Sequence, residues 1–278
     1  MSSSIKRALL VGINYRNSEC ELGGCINDVL SIKDLLISKY GYEEKNILLL
    51  TDDTNNKPTH NNIIEGWRWL LSKSRVSRFD KKLNGSDTDY KPFRSSDSPT
   101  LFFHYSGHGG SIIDVDGDEA DGLDETICPI DYETNGMITD DTIREELAVK
   151  VPKNGKLFCI IDACHSGTAL DLLWTVKPGF FGSFNLYKTG SYVPTQGDVA
   201  MISGCRDEQT SADICINGGR NGALTYAILE VLKKSDYDIT YDNLLIDVRN
   251  YIKENNLSDQ IPCMSFGKHA DISRKFSL

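Results

Sequence analysis

Residues 100–110 read TLFFHYSGHGG, and residues 157–167 read LFCIIDACHSG. Each begins as a short apolar run and breaks into small and polar residues, the pattern of a buried strand delivering a loop. Thr100–Tyr105 and Leu157–Ile161 are therefore predicted strands. Ala8–Ile13, Asn46–Leu50 and Val199–Ser203 repeat the pattern. Segments with apolar residues at helical spacing lie between them. Asn27–Tyr40 carries Val29, Ile32, Leu35 and Leu36 and stops at Gly41, and Thr59–Ser72 carries Ile63, Ile64, Trp67 and Leu70. Asp140–Val149, Asn221–Lys233 and Tyr241–Asn255 are further predicted helices. Strands alternating with helices specify an α/β fold, a mostly parallel central sheet sandwiched between helices in three layers. Ligand sites in such sheets lie beyond the carboxyl ends of the strands. That rule marks residues 14–28, 52–53, 106–110 and 162–167. Ser77–Pro99 and Pro178–Gly197 are predicted to be irregular.

The 278 residues, 40% hydrophobic and 25% charged, suffice for a sizeable core without disulfide staples. The formal net charge of −10 argues against nucleic-acid partners and favours cations or basic peptides. The eight cysteines show no CxxC spacing, which speaks against a zinc or redox motif. The polar start and the absence of any long apolar stretch predict neither a signal peptide nor a membrane span. These features suggest a reducing compartment, the cytoplasm or the nucleus, with most cysteines as buried filler.

The two opening segments also carry chemistry. Flanking glycines let the backbone at His108 turn sharply and approach a substrate. An imidazole titrates near neutrality and suits proton transfer. Cys164, just past a strand end, is placed as a nucleophile, with the nearby imidazole or a helix N-terminus to stabilise its thiolate. Backbone amides beside these residues, that of Gly109 among them, suit the oxyanion of a tetrahedral intermediate. An α/β-hydrolase would need G-x-S-x-G, but His104 precedes Ser106 and Cys164 precedes Ser166 at the position of the first glycine.

YSGHGG and DACHSG together resemble the catalytic segments of metacaspases, members of the caspase–legumain class of cysteine peptidases. VGINY, LGGCINDV, DVDGDEADGLDETICPID, ITDD and ISGCRDEQTSAD match in order, so the resemblance runs from Lys6 to the end of the chain. It implies a caspase-like fold, with a large-subunit-like region over 1–177, a linker over 178–197 and a small-subunit-like region over 198–278. The short linker resembles type I members. Those usually begin with a Pro- or Gln-rich prodomain, whereas this chain begins almost at its first strand, so a prodomain-less or trimmed form is expected.

Asp28 and Asp162 flank the catalytic segments. Asp28 could serve the N-terminus of its own helix, or the two carboxylates could bind a guanidinium or ammonium group. The resemblance implies the second: a pocket selecting Arg or Lys before the cut, with Cys25 and Ser106 beside it. Residues 114–125 are strongly acidic, but the glycine falls at loop position four, which excludes an EF-hand and leaves a solvated hairpin or a calcium site of another kind. The resemblance carries activating calcium ligands onto Asp124, Asp140, Asp141 and Asp171. It also implies a monomer, because extra strands block the edge through which caspases pair. The expected protein is thus a calcium-dependent endopeptidase of Arg- and Lys-containing peptides. Self-cleavage is expected in mobile loops, after Lys81, Lys82, Lys177 or Lys188. The rival expectation is a catalytically silent binding or scaffold protein.

Overall fold

A computed structural model describes residues 5–83, 89–94, 96–114, 122–164, 166–179, 184–189, 192–204, 213–216 and 219–278. Its main sheet has eight strands in the order β2-β1-β3-β7-β10-β13-β8-β9. The first five in that order are β2 (Ile47–Thr51), β1 (Lys6–Gly12), β3 (Thr100–Ser106), β7 (Lys156–Asp162) and β10 (Asp198–Ser203), all parallel to one another. Their apolar runs are continuous because both faces are covered. Leu9 and Val11 enter one core with Trp67 of α2 (His60–Leu70). Ala8 and Leu10 enter the other with residues of α1 (Cys25–Ser38), α6 (Ala223–Lys234) and α7 (Tyr241–Glu254). The three expected layers are present.

Helix ends differ from the sequence expectation by a few residues, for local reasons. Helix α2 starts one residue late because Thr59 is its cap, accepting a bond from Asn62 N at 3.2 Å. The segment expected to be helical over 140–149 is α5 (Asp140–Ile143), continued by a π turn over Arg144–Ala148. Thr139, not either aspartate, caps α5 through Thr142 N.

Both segments expected to be irregular contain regular structure. Helix α3 (Val76–Leu83) occupies the start of the first, with Val76, the buried Phe79 and Leu83 packed on one core; only eight residues long and otherwise polar, it was hidden in a charged segment. The second contains β9 (Phe184–Lys188), which pairs antiparallel with β8 (Trp174–Pro178) just before it; β8 also pairs antiparallel with β13 (Cys263–Phe266), extending the sheet past its parallel part. Lys177 and Lys188 thus lie in paired strands, and Lys81 and Lys82 lie in α3, so none occupies the mobile loop expected of a self-cleavage site. Lys177 is moreover followed by Pro178 in its strand.

A three-stranded side sheet stands beyond β3. Its strands are β4 (Gly109–Ile113), β5 (Leu123–Ile127) and β6 (Ile138–Thr139), and β4 and β5 form the arms of the acidic hairpin. Residues 115–121 lie outside the described residues, as do His165 and most of the ISGCRDEQTSAD segment. A two-stranded hairpin, β11 (Asp213–Ile216) and β12 (Gly219–Gly222), precedes α6.

Candidate active site

Adjacent parallel strands β3 and β7 pair Ser106 with Asp162 at their carboxyl ends. His108 and Cys164 each lie two residues beyond that pair. Gly109 binds the two loops together: a Cβ there would stand 2.0 Å from the Cys164 carbonyl oxygen, so only glycine permits the approach. Cys164 is 8% exposed.

His108 is fixed from three sides. Its backbone N–H donates to the Tyr15 hydroxyl at 3.0 Å, and its ring lies 4.7 Å from the Tyr15 ring. Nε2 is 2.7 Å from the Cys20 carbonyl oxygen. A carbonyl can only accept, so Nε2 carries the proton and Nδ1 keeps a lone pair able to take one. The Tyr15 hydroxyl itself donates to Cys128 O at 2.6 Å. Burial pushes the phenols of Tyr15 and Tyr105 well above the ordinary value, so both remain protonated donors. The Cys128 thiol is pushed up to about 12, mainly by burial, which makes it a poor nucleophile at neutral pH. Neither Tyr15 nor the Cys20 carbonyl was singled out from sequence. The carbonyl is a backbone group that no residue type announces; the aromatic ring of VGINY after β1 was the available signal for Tyr15.

The loop after β1 is held in place by polar clamps. Asp52 accepts from Asn14 N at 2.8 Å and from Arg16 N at 3.1 Å, and the Asn14 side chain accepts from Ile26 N at 3.2 Å. The marked strand end at Asp52 is therefore a support for the site.

Asp28 and Asp162 come together although 134 positions separate them in the chain. A Cβ on Gly222 would stand 2.3 Å from Asp162 Oδ2 and 2.7 Å from Asp28 Oδ2. The carboxylates are 1% and 3% exposed, Asp28 first. Asp28 accepts from Ser106 Oγ at 2.7 Å and from Gly222 N at 2.9 Å; Asp162 accepts from Thr225 N at 2.8 Å. Asp28 thus reaches the start of α6 while also lying in the first turn of its own helix, where its charge suits the N-terminus. Gly222, the N-cap of α6, lacks a capping side chain, and the two acids complement that terminus. Cys25, buried at the start of α1, belongs to the same corner.

The sequence matches the profile described as "Metacaspase, peptidase C14 domain" over residues 6–79 and 93–173. It is 35% identical to metacaspase-1 of Schizosaccharomyces pombe over 96% of this chain and 68% of that protein. The chain belongs to the metacaspases. With metacaspase-2 of Arabidopsis thaliana the identity is 37%, over 90% of this metacaspase but 57% of the plant protein. The crystal structure of protein GSU0716 from Geobacter sulfurreducens shares the fold, with a TM-score of 0.61 and 21% identity over 97% of each chain. Family membership carries the cysteine-type endopeptidase reaction, hydrolysis of peptide bonds. No helix among the described residues is long and apolar enough to cross a membrane. Cys20, Cys25, Cys128, Cys159, Cys164 and Cys263 are free thiols.

The acidic residues expected to bind calcium sit on three segments of the metacaspase that hydrogen bonds tie together. Asp140 accepts from Glu125 N at 3.0 Å, next to Asp124 on β5. Glu125 in turn accepts from Thr168 N at 3.0 Å, and Arg144 donates to Asp171 O at 2.6 Å. Asp124, Asp140 and Asp171 are buried, and Asp171 adopts a left-handed φ of 45°. Among the described residues no three acidic, His or Cys side chains already stand in metal-ligand geometry. The donor set, all carboxylate oxygens, has the hardness that calcium prefers.

His104 is the buried histidine of β3, distinct from the loop residue His108. It is fully buried, with Nε2 3.0 Å from Thr225 Oγ1, and burial lowers its pKa to about 3. The unfolded chain takes up this proton as pH falls through about 6.5, whereas the folded chain resists until about 3. Between those values the unfolded state binds more protons, so stability is full above the window and falls as pH falls, by about 1.4 kcal/mol per unit from this group. Urea midpoints measured from pH 7 to 4.5 are expected to fall more steeply for the wild type than for His104→Gln. Parallel slopes would exclude the assignment.

Proposed function

We propose that this metacaspase is a calcium-dependent endopeptidase that cleaves after Arg or Lys, with Cys164 as nucleophile and His108 as proton carrier. The observation that carries the reading is the convergence of two buried carboxylates, Asp28 and Asp162, beside the strand ends that hold Cys164 and His108. A carboxylate offers about four acceptor sites. A guanidinium or ammonium would supply the charge-assisted hydrogen bonds that such a carboxylate pair accepts. A pocket of this sign excludes an acidic residue before the cut.

In this mechanism His108 Nδ1 takes the Cys164 thiol proton, and the thiolate attacks the carbonyl carbon after the basic residue. The amide of Gly109 supports the developing oxyanion. His108 returns the proton to the leaving amine as the C–N bond breaks, giving a thioester. Water, deprotonated by the same imidazole, then hydrolyses the thioester and regenerates the thiol. The Nε2–Cys20 hydrogen bond holds the ring in the tautomer this sequence requires.

Asp124, Asp140, Asp141 and Asp171 are the residues that would hold calcium. The ion would offset their mutual repulsion and fasten the segment after Cys164 to the start of α5, favouring the competent arrangement by differential affinity. Calcium-stimulated self-cleavage belongs to the same reading, at bonds outside paired strands. The placement of β8 and β9 beyond β13 supports a monomer, since it covers the sheet edge that caspases use for pairing. The test is hydrolysis of Arg-, Lys- and Asp-ended fluorogenic peptides during a calcium titration. Arg and Lys peptides are expected to be cut, with half-activation at roughly 10⁻⁴–10⁻³ M calcium, and the Asp peptide to remain intact. Asp140→Ala is expected to shift the titration to higher calcium. Full wild-type activity in excess chelator would remove the calcium requirement without touching the basic pocket.

A further inference from the structure

Residues 73–94 hold seven Lys and Arg against three Asp, in a chain whose formal net charge is −10. Folding gathers five of these cations. The chain turns after α2, returns as α3 and passes the turn again at Lys91. There Lys73 N donates to Lys91 O at 2.7 Å, and Lys91 N donates to Ser74 Oγ at 2.8 Å. A cavity of about 310 Å³ lies among these passes, lined by Lys73, Arg75, Arg78, Lys81 and Lys91. No acid stands among its described lining residues.

Helix α3 sorts the charges. Val76, Phe79 and Leu83, spaced by three and four, pack on the core. Ser74, Arg78 and Lys81, spaced by four and three, share another side of the same turn and helix, and that side faces the cavity. The acid of α3, Asp80, is not in the lining and accepts from Asn56 Nδ2 at 2.7 Å. Lys73 is fastened to Asp97, so the argument rests on Arg75, Arg78, Lys81 and Lys91. Set against all three acids of the segment, its seven cations still leave four positive charges.

The cavity stands apart from the peptidase site. Helix α2 begins on the side of the catalytic loops, where His60 N donates to Asp131 Oδ1 at 2.8 Å and Ile130 N to Pro58 O at 3.0 Å. Its eleven residues then run about 16 Å, and the basic turn follows its far end. The metacaspase profile is interrupted over residues 80–92, so Lys81 and Lys91 belong to a stretch outside the matched residues.

We propose that this cavity binds a small soluble molecule carrying two or more phosphate groups. Two guanidinium forks match the geometry of phosphate oxygens, two ammonium groups add point charges, and the hydroxyls of Ser74 and Ser77 in the lining add donors. A compact ligand stays within about 8 Å of the cluster, the distance over which its charge is felt at physiological salt. A nucleic acid or an anionic membrane would extend beyond it, over the surface of a protein that is acidic as a whole.

The test is isothermal titration calorimetry of the full chain with inorganic tripolyphosphate in calcium-free buffer. Saturable one-to-one binding is expected, together with a raised melting temperature. Affinity is expected to fall about tenfold in Arg78→Gln and in Lys81→Gln, each the loss of a charge-assisted hydrogen bond. Both side chains are exposed, so neither change should impair folding. Lys234→Gln, which removes the same charge from the exposed end of α6, is expected to bind as the wild type does. Absence of saturable binding, or an equal loss in all three variants, would overturn the site. Tighter binding of a single-stranded oligonucleotide or of phosphatidylserine vesicles, with the same sensitivity to Arg78 and Lys81, would overturn it in favour of an extended polyanion. Because binding alone is read, the outcome is independent of the peptidase reading above.

Discussion

Purified Cys164→Ala protein is expected to release no product from an Arg-ended fluorogenic peptide while melting at close to the wild-type temperature. The thiol is the only group that this mechanism bonds covalently to the substrate, and its removal takes with it the acyl intermediate and the partner of His108. Losses for members of such a unit reach many orders of magnitude in turnover. The structural cost is small, because Ala keeps the Cβ, and the close approach of Gly109 is to the backbone carbonyl of residue 164, not to its sulfur. Turnover retained in the variant would move the nucleophile elsewhere, and Cys25, buried at the start of α1 beside Asp28, would be the thiol to test next.

The second large effect is expected at Asp162. Asn is nearly isosteric and can still accept the Thr225 N–H, so the first turn of α6 keeps its anchor and the change removes mainly charge. Unpairing a buried charge costs about 3–5 kcal/mol, which corresponds to a loss of about two to four orders of magnitude in kcat/KM on Arg peptides. Arg should lose more than Lys, because its planar fork is the group able to contact two carboxylates at once. No activity on Asp-ended peptides should appear, since Asp28 remains. Gly222→Ala offers an independent route, because its methyl would press on both carboxylates. Unchanged turnover of Arg peptides by Asp162→Asn would separate these acids from specificity and leave them as supports of the α6 terminus.

The parallel half of the fold was readable because each strand, covered on both faces, must be an uninterrupted apolar run. Strands β8 and β9 broke that rule. Trp174–Pro178 and Phe184–Lys188 lie at the sheet margin with several exposed side chains, so charged and polar residues interrupt them and they resemble a linker. Strand β13 is too short, at four residues, to stand out from its surroundings. In the site, side chains at strand ends were legible from residue type and position. What supports them was not: the Cys20 carbonyl and the amides of Gly222 and Thr225 are main-chain groups brought in from distant segments. The pairing of Asp28 with Asp162 likewise came only from family resemblance, because nothing local links residues so far apart.

The order of the last four strands has a topological consequence. Strands β10 and β13 come from the end of the chain, yet they are bracketed by β7 on one side and β8 on the other, both of which precede them in sequence. A nick between β9 and β10 would therefore sever the polypeptide without parting its halves. The carboxyl-terminal fragment would stay wedged between two strands of the amino-terminal one, its ladders intact on both flanks, so that breaking a single bond frees a loop but dismantles nothing.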